Sequence, residues 1–308
     1  MKPRRDARHS LWNTLADSSF PARFVIKALL FILVLGFVLF PNPVLFLRHI
    51  GNFKNHDALI TTNLPALVEI NAEINKLLPT NATPKQELQA VERFVYKNIK
   101  YQYDWYNWLN ADYWPTAADV WERKREDCDG RAVLAASILR SRGFTNAMLV
   151  ANVNHVWVSV GEDELMGPHR EKNLRREGNK VVVSLPGFST WMDMVAQLSA
   201  FPALRSLIII FVAAGLMFHP CRHKGAFCLV AVLALTGYIL LFEWSALRMK
   251  GDFPGFTLNF FLGASAVLAA ATAALFSQRM LDRRRGTPPK PQFEDPGQRS
   301  IAVKLTQS

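Results

Sequence analysis

One cysteine and one histidine are the residues of this sequence best suited to covalent chemistry. Cys128 precedes an apolar stretch with helical periodicity, and His155 lies in the strand-like sequence Asn-His-Val-Trp-Val-Ser-Val. A free thiol is ionised to only about a few per cent at neutral pH, so cysteine enzymes place it at a helix N-terminus and beside an imidazole. This order predicts that Cys128 is a nucleophile and that His155 is its general base.

The cysteine count bears on whether this thiol is reactive. The chain contains 3 cysteines, and Cys221 and Cys228 lie at the edge of a later apolar segment and inside it. Cys128 therefore has no disulfide partner in its own region. The presence of an unpaired thiol in an oxidising compartment indicates that the thiol is reactive, although a buried, inert cysteine fits the same count.

The basic charge of the chain lies outside the region around Cys128. The formal net charge is +11, whereas residues 48–200 carry 18 lysines and arginines and 18 aspartates and glutamates. A nucleic-acid-binding domain carries its own excess of basic side chains. We therefore expect no nucleic acid among the partners.

Four apolar stretches approach the roughly 20 helical residues that cross a hydrocarbon core of about 30 Å. They cover residues 24–47, 199–218, 225–242 and 254–277. The first is too long for the apolar part of a signal peptide, and no small-residue cleavage site follows it, which favours an uncleaved anchor. The sequence thus predicts an integral membrane protein with about four transmembrane helices in contact with membrane lipid.

Unbalanced basic residues occupy the N-terminal tail, the connection at residues 222–224 and the tail at residues 279–285. The positive-inside rule places all three on the cytoplasmic side, with the bacterial inner membrane as the expected location. The predicted organisation is a cytoplasmic tail at 1–23, a transmembrane helix at 24–47, an extracytoplasmic domain at 48–198, transmembrane helices 2–4 within 199–277 and a disordered cytoplasmic tail at 278–308.

The extracytoplasmic region combines helical and strand-like patterns. Helices are predicted at 56–78, 84–99, 115–121 and from Asp127 or Asp129 to about Arg142. Strands are predicted at 147–153, 156–160 and 181–185, with a short partner at 165–166. These patterns favour an α+β domain in which the thiol helix packs on an antiparallel sheet that carries His155.

The segment Tyr101–Trp114 is dense in aromatic residues. Such a segment is typical of a core wall or of a contact with the membrane interface, and a substrate groove is the alternative.

Three motifs together resemble the transglutaminase-like superfamily of papain-type folds. They are Asp112-Tyr-Trp-Pro-Thr, Glu126-Asp-Cys-Asp-Gly and Asn154-His-Val-Trp-Val-Ser-Val, in the order of that family's nucleophile, helix, strand and base. The Tyr-Trp before an Asp-Cys-acid core is most similar to bacterial transglutaminase-like cysteine proteinases, here fused to a multi-span membrane anchor. The resemblance covers about residues 84–170. It implies a papain-like domain with Cys128 as nucleophile and His155 as base.

The third catalytic residue departs from the family's pattern. Family members usually end the next strand with an aspartate that orients the imidazole, and this chain has Gly167 there. Glu164 and Glu171 are the nearest replacements, and Asn173 is an amide alternative. Without an orienting group the tautomer of the imidazole is unset, which leaves a slow enzyme or an inactive one.

Acids beside the thiol bind calcium in some of the related proteinases. Asp127 and Asp129 match those positions, but Gly130 stands where a further acid often occurs. Calcium takes about six to eight oxygen ligands, and only two matching carboxylates are present in the sequence. Calcium is therefore named only as a candidate, and no other cofactor is expected. The alternative is that the neighbouring basic residues simply balance these acids: Arg123, Lys124, Arg125 and Arg131.

Two functions from different classes remain. The first is a membrane-anchored cysteine peptidase or amidase that acts on peptide or protein amides through an acyl-enzyme at Cys128, with transfer to an amine as a variant. The second is a catalytically decayed binding module that serves envelope or membrane-complex assembly.

Overall fold

The computed structural model describes residues 11–152, 155–167, 174–177, 180–183, 195, 197, 200–219, 224–249 and 258–286. Its helices are α1 Leu11–Asp17, α2 Phe20–Leu39, α3 Pro43–Lys54, α4 Ala66–Lys76, α5 Pro84–Asn98, α6 Asp104–Asn107, α7 Ala117–Arg123, α8 Cys128–Ser141, α9 Ala203–Phe218, α10 Lys224–Met249 and α11 Leu258–Gly286, with a 3-10 helix at His56–Leu59. Its strands are β1 Lys100–Tyr101, β2 Arg125–Glu126, β3 Ala147–Ala151, β4 Val156–Val160, β5 Asp163–Leu165, β6 Leu174–Glu177 and β7 Lys180–Val183.

Five strands form an antiparallel sheet in the order β5-β4-β3-β6-β7. The central pair is in register from Ala147 opposite Val160 to Ala151 opposite Val156. Strands β1 and β2 form a separate parallel pair, in which Tyr101 lies opposite Glu126. This second pair brings the aromatic segment alongside the residues that lead into the thiol helix.

Helix α8 packs on β3 and β4 with one face, and on α5 and α7 with others. Its interior residues are fully buried, which a helix covered on several sides requires: Ala132, Val133, Leu134, Ala135, Ile138 and Leu139. Gly143 follows the helix with a φ of 96°, a left-handed conformation that glycine adopts without strain. The predicted helix on an antiparallel sheet is therefore present, within a chain that contains more helix than strand.

Two predicted helices in this domain have different starts. The periodic segment 56–78 divides into the 3-10 helix and α4, which begins only at Ala66 after Pro65. Helix α5 begins as predicted, with Thr83 as N-cap, and Gln86 closes the capping box.

Within the described part of the chain, three helices are long and apolar enough to cross a membrane: α2, α10 and α11. The predicted span 24–47 is wrong in its bounds, because α2 runs from Phe20 to Leu39 and a new helix begins at Pro43. Prolines cannot donate the hydrogen bonds that would continue α2, and Asn42 instead caps α3 by accepting from the N–H groups of Val44 and Leu45.

The remaining membrane predictions are also modified. The stretch 199–218 forms α9, whose 16 residues fall short of a full span. The tail predicted as disordered from residue 278 is wrong at its start, since α11 continues to Gly286. Arginine is a good helix former, and a proline follows only at position 288.

Backbone and amide hydrogen bonds join the domain that contains Cys128 to the C-terminal end of α2. The N–H of Ala111 donates to the carbonyl of Leu39 at 2.7 Å. Asn42 donates its N–H to the side-chain oxygen of Asn110 at 3.3 Å, and the Asn110 amide donates back to the Asn42 carbonyl at 3.4 Å. The aromatic segment thus contacts the C-terminal end of the apolar helix α2 as well as the core, where Trp114 is buried.

Candidate active site

Cys128 is the first residue of α8, and Asp127 is the N-cap. The side chain is half-buried. The backbone N–H of Val156 lies near enough to the Cys128 sulfur to lower the pKa of the thiol. Because Val156 directly follows His155, the thiol lies against the strand end that carries the imidazole.

The electrostatic surroundings of Cys128 oppose its ionisation. Burial raises the pKa of the Cys128 thiol well above its usual range, and the charge of Asp127 raises it further. The Val156 N–H lowers it, because a donor stabilises the thiolate. The helix N-terminus alone therefore does not make this thiol acidic while the nearby carboxylates are unneutralised.

The ring of His155 is oriented by a backbone carbonyl. Its Nε2 lies 2.7 Å from the carbonyl oxygen of Met166. A carbonyl can only accept, so Nε2 carries the proton and Nδ1 is left as the basic nitrogen. The ring also stacks on Trp157, with 5.9 Å between centroids and 19° between planes.

Met166 is itself held from both sides. It has a φ of 59°, a left-handed conformation that is strained for a residue with a long side chain. Its N–H donates to Oε1 of Glu92 on α5 at 2.8 Å. A carboxylate therefore acts on the imidazole through the backbone of one residue, from Glu92 to Met166 to His155.

The predicted orienting acids have separate outcomes. Glu164 pairs with Ser159 across β4 and β5, and its Oε2 lies 2.9 Å from the point where a Cβ on Gly167 would stand. The partner that the structure gives Nε2 of His155 is the Met166 carbonyl instead. Glu171 and Asn173 lie outside the described residues.

Four carboxylates form a cluster near the start of α8: Asp104, Glu126, Asp127 and Asp129. Each offers one oxygen, and these four oxygens lie within 4.8 Å of one another. Asp104, Glu126 and Asp129 are buried, at 1, 0 and 3% exposure. Asp127 and Asp129, the two candidate calcium ligands of the sequence analysis, both belong to this cluster.

Glu126 is the most fully hydrogen-bonded member of this carboxylate cluster. Its Oε1 accepts from the Asn107 amide and from the Trp108 indole, each at 2.5 Å. Burial and then the charge of Asp127 raise the pKa of Glu126 to about 8. Burial and then Asp127 also raise the pKa values of Asp104 and Asp129 well above the usual range.

Gly130 explains how Glu126 enters the cluster. A Cβ at Gly130 would stand 2.5 Å from Cγ of Glu126 and 2.9 Å from Cγ of Pro115. An acid at position 130 would thus require the volume that Glu126 occupies. Gly130, which replaces the acid of the family pattern, thus leaves room for the side chain of Glu126.

The cluster fits a hard divalent cation. Three carboxylate oxygens are buried without a hydrogen-bond partner within the described part of the chain: Oδ1 of Asp104, Oδ1 of Asp127 and Oδ2 of Asp129. Buried oxygens of this kind are what calcium binds. Among the described residues, the neighbouring lysines and arginines form no ion pair with the four carboxylates, although Arg123 lowers the pKa of Glu126 from a distance.

Three contributors to the site were missed by sequence reasoning: Asp104, Glu92 and Met166. Asp104 was visible as an acid within an aromatic segment, next to Trp105, where a buried charge needs an explanation. Met166 acts through its backbone, for which the residue type gives no signal.

Comparison of the chain with protein-family models, curated proteins and solved structures finds no match.

Proposed function

We propose that this protein is a membrane-anchored thiol enzyme, a cysteine peptidase or amidase of transglutaminase-like type that acts on peptide or protein amides. One observation carries the proposal: Cys128 begins a helix that packs on the strand of His155, and the Met166 carbonyl fixes the proton of the ring on Nε2. That tautomer leaves Nδ1 to accept the thiol proton.

The reaction follows from these two groups. Nδ1 of His155 takes the proton of Cys128, and the sulfur attacks the amide carbonyl carbon. The carbon–nitrogen bond then breaks, the amine leaves with the proton from His155, and a thioester remains on Cys128. Water deprotonated by His155 attacks the thioester, which releases the acid and restores the thiol. An amine in place of water would give acyl transfer.

A divalent cation belongs to this proposal through Asp104, Asp127 and Asp129, with Glu126 at the edge of the same cluster. These residues would hold the ion, and its charge would cancel the negative charge that raises the pKa of Cys128. The protein's own contribution is to hold the carboxylates beside α8 and to keep the imidazole oriented.

The experiment is thiol labelling of full-length protein in which Cys221 and Cys228 are replaced by serine. A thiol-directed acylating probe should label Cys128 at neutral pH, and His155→Ala should slow labelling by orders of magnitude. Cys128→Ser should abolish both labelling and amide cleavage while the protein remains folded and inserted. Amide cleavage that survives Cys128→Ser would show that another residue is the nucleophile.

A decayed binding module is the second candidate, and the raised pKa of Cys128 favours it. That candidate predicts a thiol that resists labelling with and without calcium. Labelling that depends on His155 would exclude it.

We further propose a four-span topology with both termini in the cytoplasm of a bacterial inner membrane and the Cys128 domain outside. Helix α9, about 24 Å long, runs antiparallel to α2. At its start Arg205 donates to the Leu109 carbonyl at 2.9 Å, close to the outer end of α2. At its other end Lys27 of α2 donates to the carbonyl of His219.

The contact with Lys27 compensates for the shortness of α9. A cation at a helix C-terminus satisfies the last carbonyls and the helix dipole, which matters where no water is available. If α9 crosses the bilayer, reporter fusions after residues 200 and 222 should report opposite compartments. The same compartment for both would exclude the four-span topology.

A further inference from the structure

A cavity of about 360 Å³ lies where the outward domain meets the membrane helices. Three helices line it on the membrane side, through Leu39 of α2, Ile210 of α9 and Tyr238 of α10. Trp105 and Phe201 line it on the side of the domain. Since Leu39 ends α2, this cavity lies at the outer end of the bundle.

The cavity is built for an apolar group with one polar end. Its walls are mainly aliphatic and aromatic, and its volume falls within the roughly 300–1,000 Å³ of small-molecule sites. The hydroxyl of Tyr238 is buried and has no hydrogen-bond partner in the part of the chain that the structure describes. A buried hydroxyl of this kind indicates an occupant that brings an acceptor, such as the carbonyl of an acyl group.

Aromatic rings connect this cavity to the thiol. Phe201 contacts Trp105 edge-on at 5.5 Å, and Trp105 stacks on Tyr103 at 4.4 Å and 14°. Tyr103 meets Tyr101 edge-on at 5.3 Å. Tyr101 lies close enough to Cys128 that a charge on either would raise the pKa of the other. The rings form one wall from the membrane side of the domain to the sulfur.

We propose that the substrate is a lipid-anchored peptide or protein whose acyl chain occupies this cavity while its peptide amide reaches Cys128. This proposal rests on the thiol-enzyme function proposed above. A free phospholipid offers no amide to cleave, and a water-soluble peptide would leave a cavity between membrane helices unused. A chain that enters from the bilayer and carries a peptide at its outer end uses both.

The test compares two synthetic peptides of one sequence, with and without an N-terminal acyl chain that carries a photoreactive diazirine. Full-length protein in lipid vesicles is cross-linked to the acylated peptide, and acylation of Cys128 is measured with both peptides. Ile210→Trp fills the cavity. Ile208→Trp is the matched control, because Ile208 is on the same helix, is 42% exposed and does not line the cavity.

The peptide with the acyl chain should cross-link to the cavity. At low concentration it should form the thioester on Cys128 more than about tenfold faster than the plain peptide. Burial of roughly two methylene groups contributes a factor of that size. Ile210→Trp should remove the cross-link and this advantage, and Ile208→Trp should retain both. Rates that are equal for the two peptides, or unchanged by Ile210→Trp, overturn the proposal.

Cross-linking in Cys128→Ser protein separates this proposal from the enzyme function. A cross-link that is sensitive to Ile210→Trp, with no acylation of Cys128 in the parent protein, supports the acyl-chain site and overturns the thiol enzyme. A photoreactive phospholipid that cross-links the cavity and is not displaced by the acylated peptide overturns the lipid-anchored substrate.

Discussion

The carboxylate of Glu164 fills the space beside Gly167. Its Oε2 lies 2.9 Å from the point where a Cβ on Gly167 would stand, and Cδ1 of Trp157 lies equally close. In the transglutaminase-like pattern that the sequence resembles, an orienting aspartate stands at this position. This chain instead brings a carboxylate to the same space from the preceding part of β5.

Replacement of Gly167 should therefore destabilise the domain. Gly167→Ala introduces a methyl group against Glu164 and Trp157, and such overpacking costs about 1–3 kcal/mol. Glu164→Ala in the same protein should recover part of this loss, because only the contact with Trp157 remains. Thermal unfolding of both single variants and the double variant measures the coupling. Strictly additive shifts would show that Glu164 does not fill this space.

Glu92 should act as a positioning residue for His155. Glu92→Ala removes the acceptor of the Met166 N–H, so the carbonyl that orients the imidazole loses its support. We expect turnover to fall by about 10- to 100-fold, the usual effect of losing an outer hydrogen-bond partner, with little change in KM. Glu92→Gln keeps an acceptor oxygen and should restore most of the activity.

Glu87→Ala is the matched control for Glu92. Glu87 lies on the same helix and pairs with Arg142 at 2.9 Å, away from the site. Its loss should lower stability slightly and leave turnover unchanged. Equal losses of turnover in the two variants would mean that α5 matters only for folding.

The charge of Asp127 should control the ionisation of Cys128. In the absence of divalent cations Asp127→Asn removes the largest charge effect that raises the pKa of the thiol. The rate of alkylation by iodoacetamide should then rise at a lower pH than in the parent protein. Asp112→Asn, which removes a weaker effect of the same sign, should give a smaller shift. A midpoint that Asp127→Asn leaves unmoved would contradict the assigned cause.

The carboxylate cluster should make stability depend on pH when calcium is chelated. The pKa of Glu126 is raised from its ordinary value of 4.5 to about 8, so the folded state holds a proton that the unfolded state has lost. Stability should be highest below about pH 4.5 and should decrease as the pH rises towards about 8. Other groups add their own dependence, so the difference between the parent protein and Glu126→Gln isolates this contribution.

Calcium should oppose the loss of stability at the upper end of this range, because an ion that binds only the folded state raises the unfolding temperature. Asp129→Asn should weaken that response. An unfolding temperature that calcium leaves unchanged at about pH 8 would show that the cluster does not hold this ion.

Local signals were sufficient to predict several elements that build the site. The cap at Thr83 and the apolar periodicity of α8 reflect interactions within a few residues, so α5 and α8 lie close to their predicted positions. The same holds for β3 and β4, whose alternate residues are β-branched or apolar. Cys128 therefore begins a helix that packs on the strand directly after His155, as the sequence indicated.

Long-range pairing and backbone roles could not be predicted in the same way. Strand β6 carries Arg175 and Arg176 and is in a strand only because it pairs with β3 and β7. Asp104 joins the carboxylates because the β1–β2 pair folds its segment back on Glu126. The two prolines that cause the break after Leu39 are visible in the sequence. The stretch was nevertheless predicted as one span, because apolar residues continue on both sides of them.

The bonds between Ala111 and Leu39 and between Asn110 and Asn42 have a consequence for which substrates can react. In the proposed topology they join the domain to the last turn of a membrane helix, so the sulfur of Cys128 would stay at one height above the bilayer. A substrate with its own anchor then presents only the bonds that lie at that height. The place of cleavage in the substrate would then be set by its distance from the membrane more than by the amino acids around the cleaved bond.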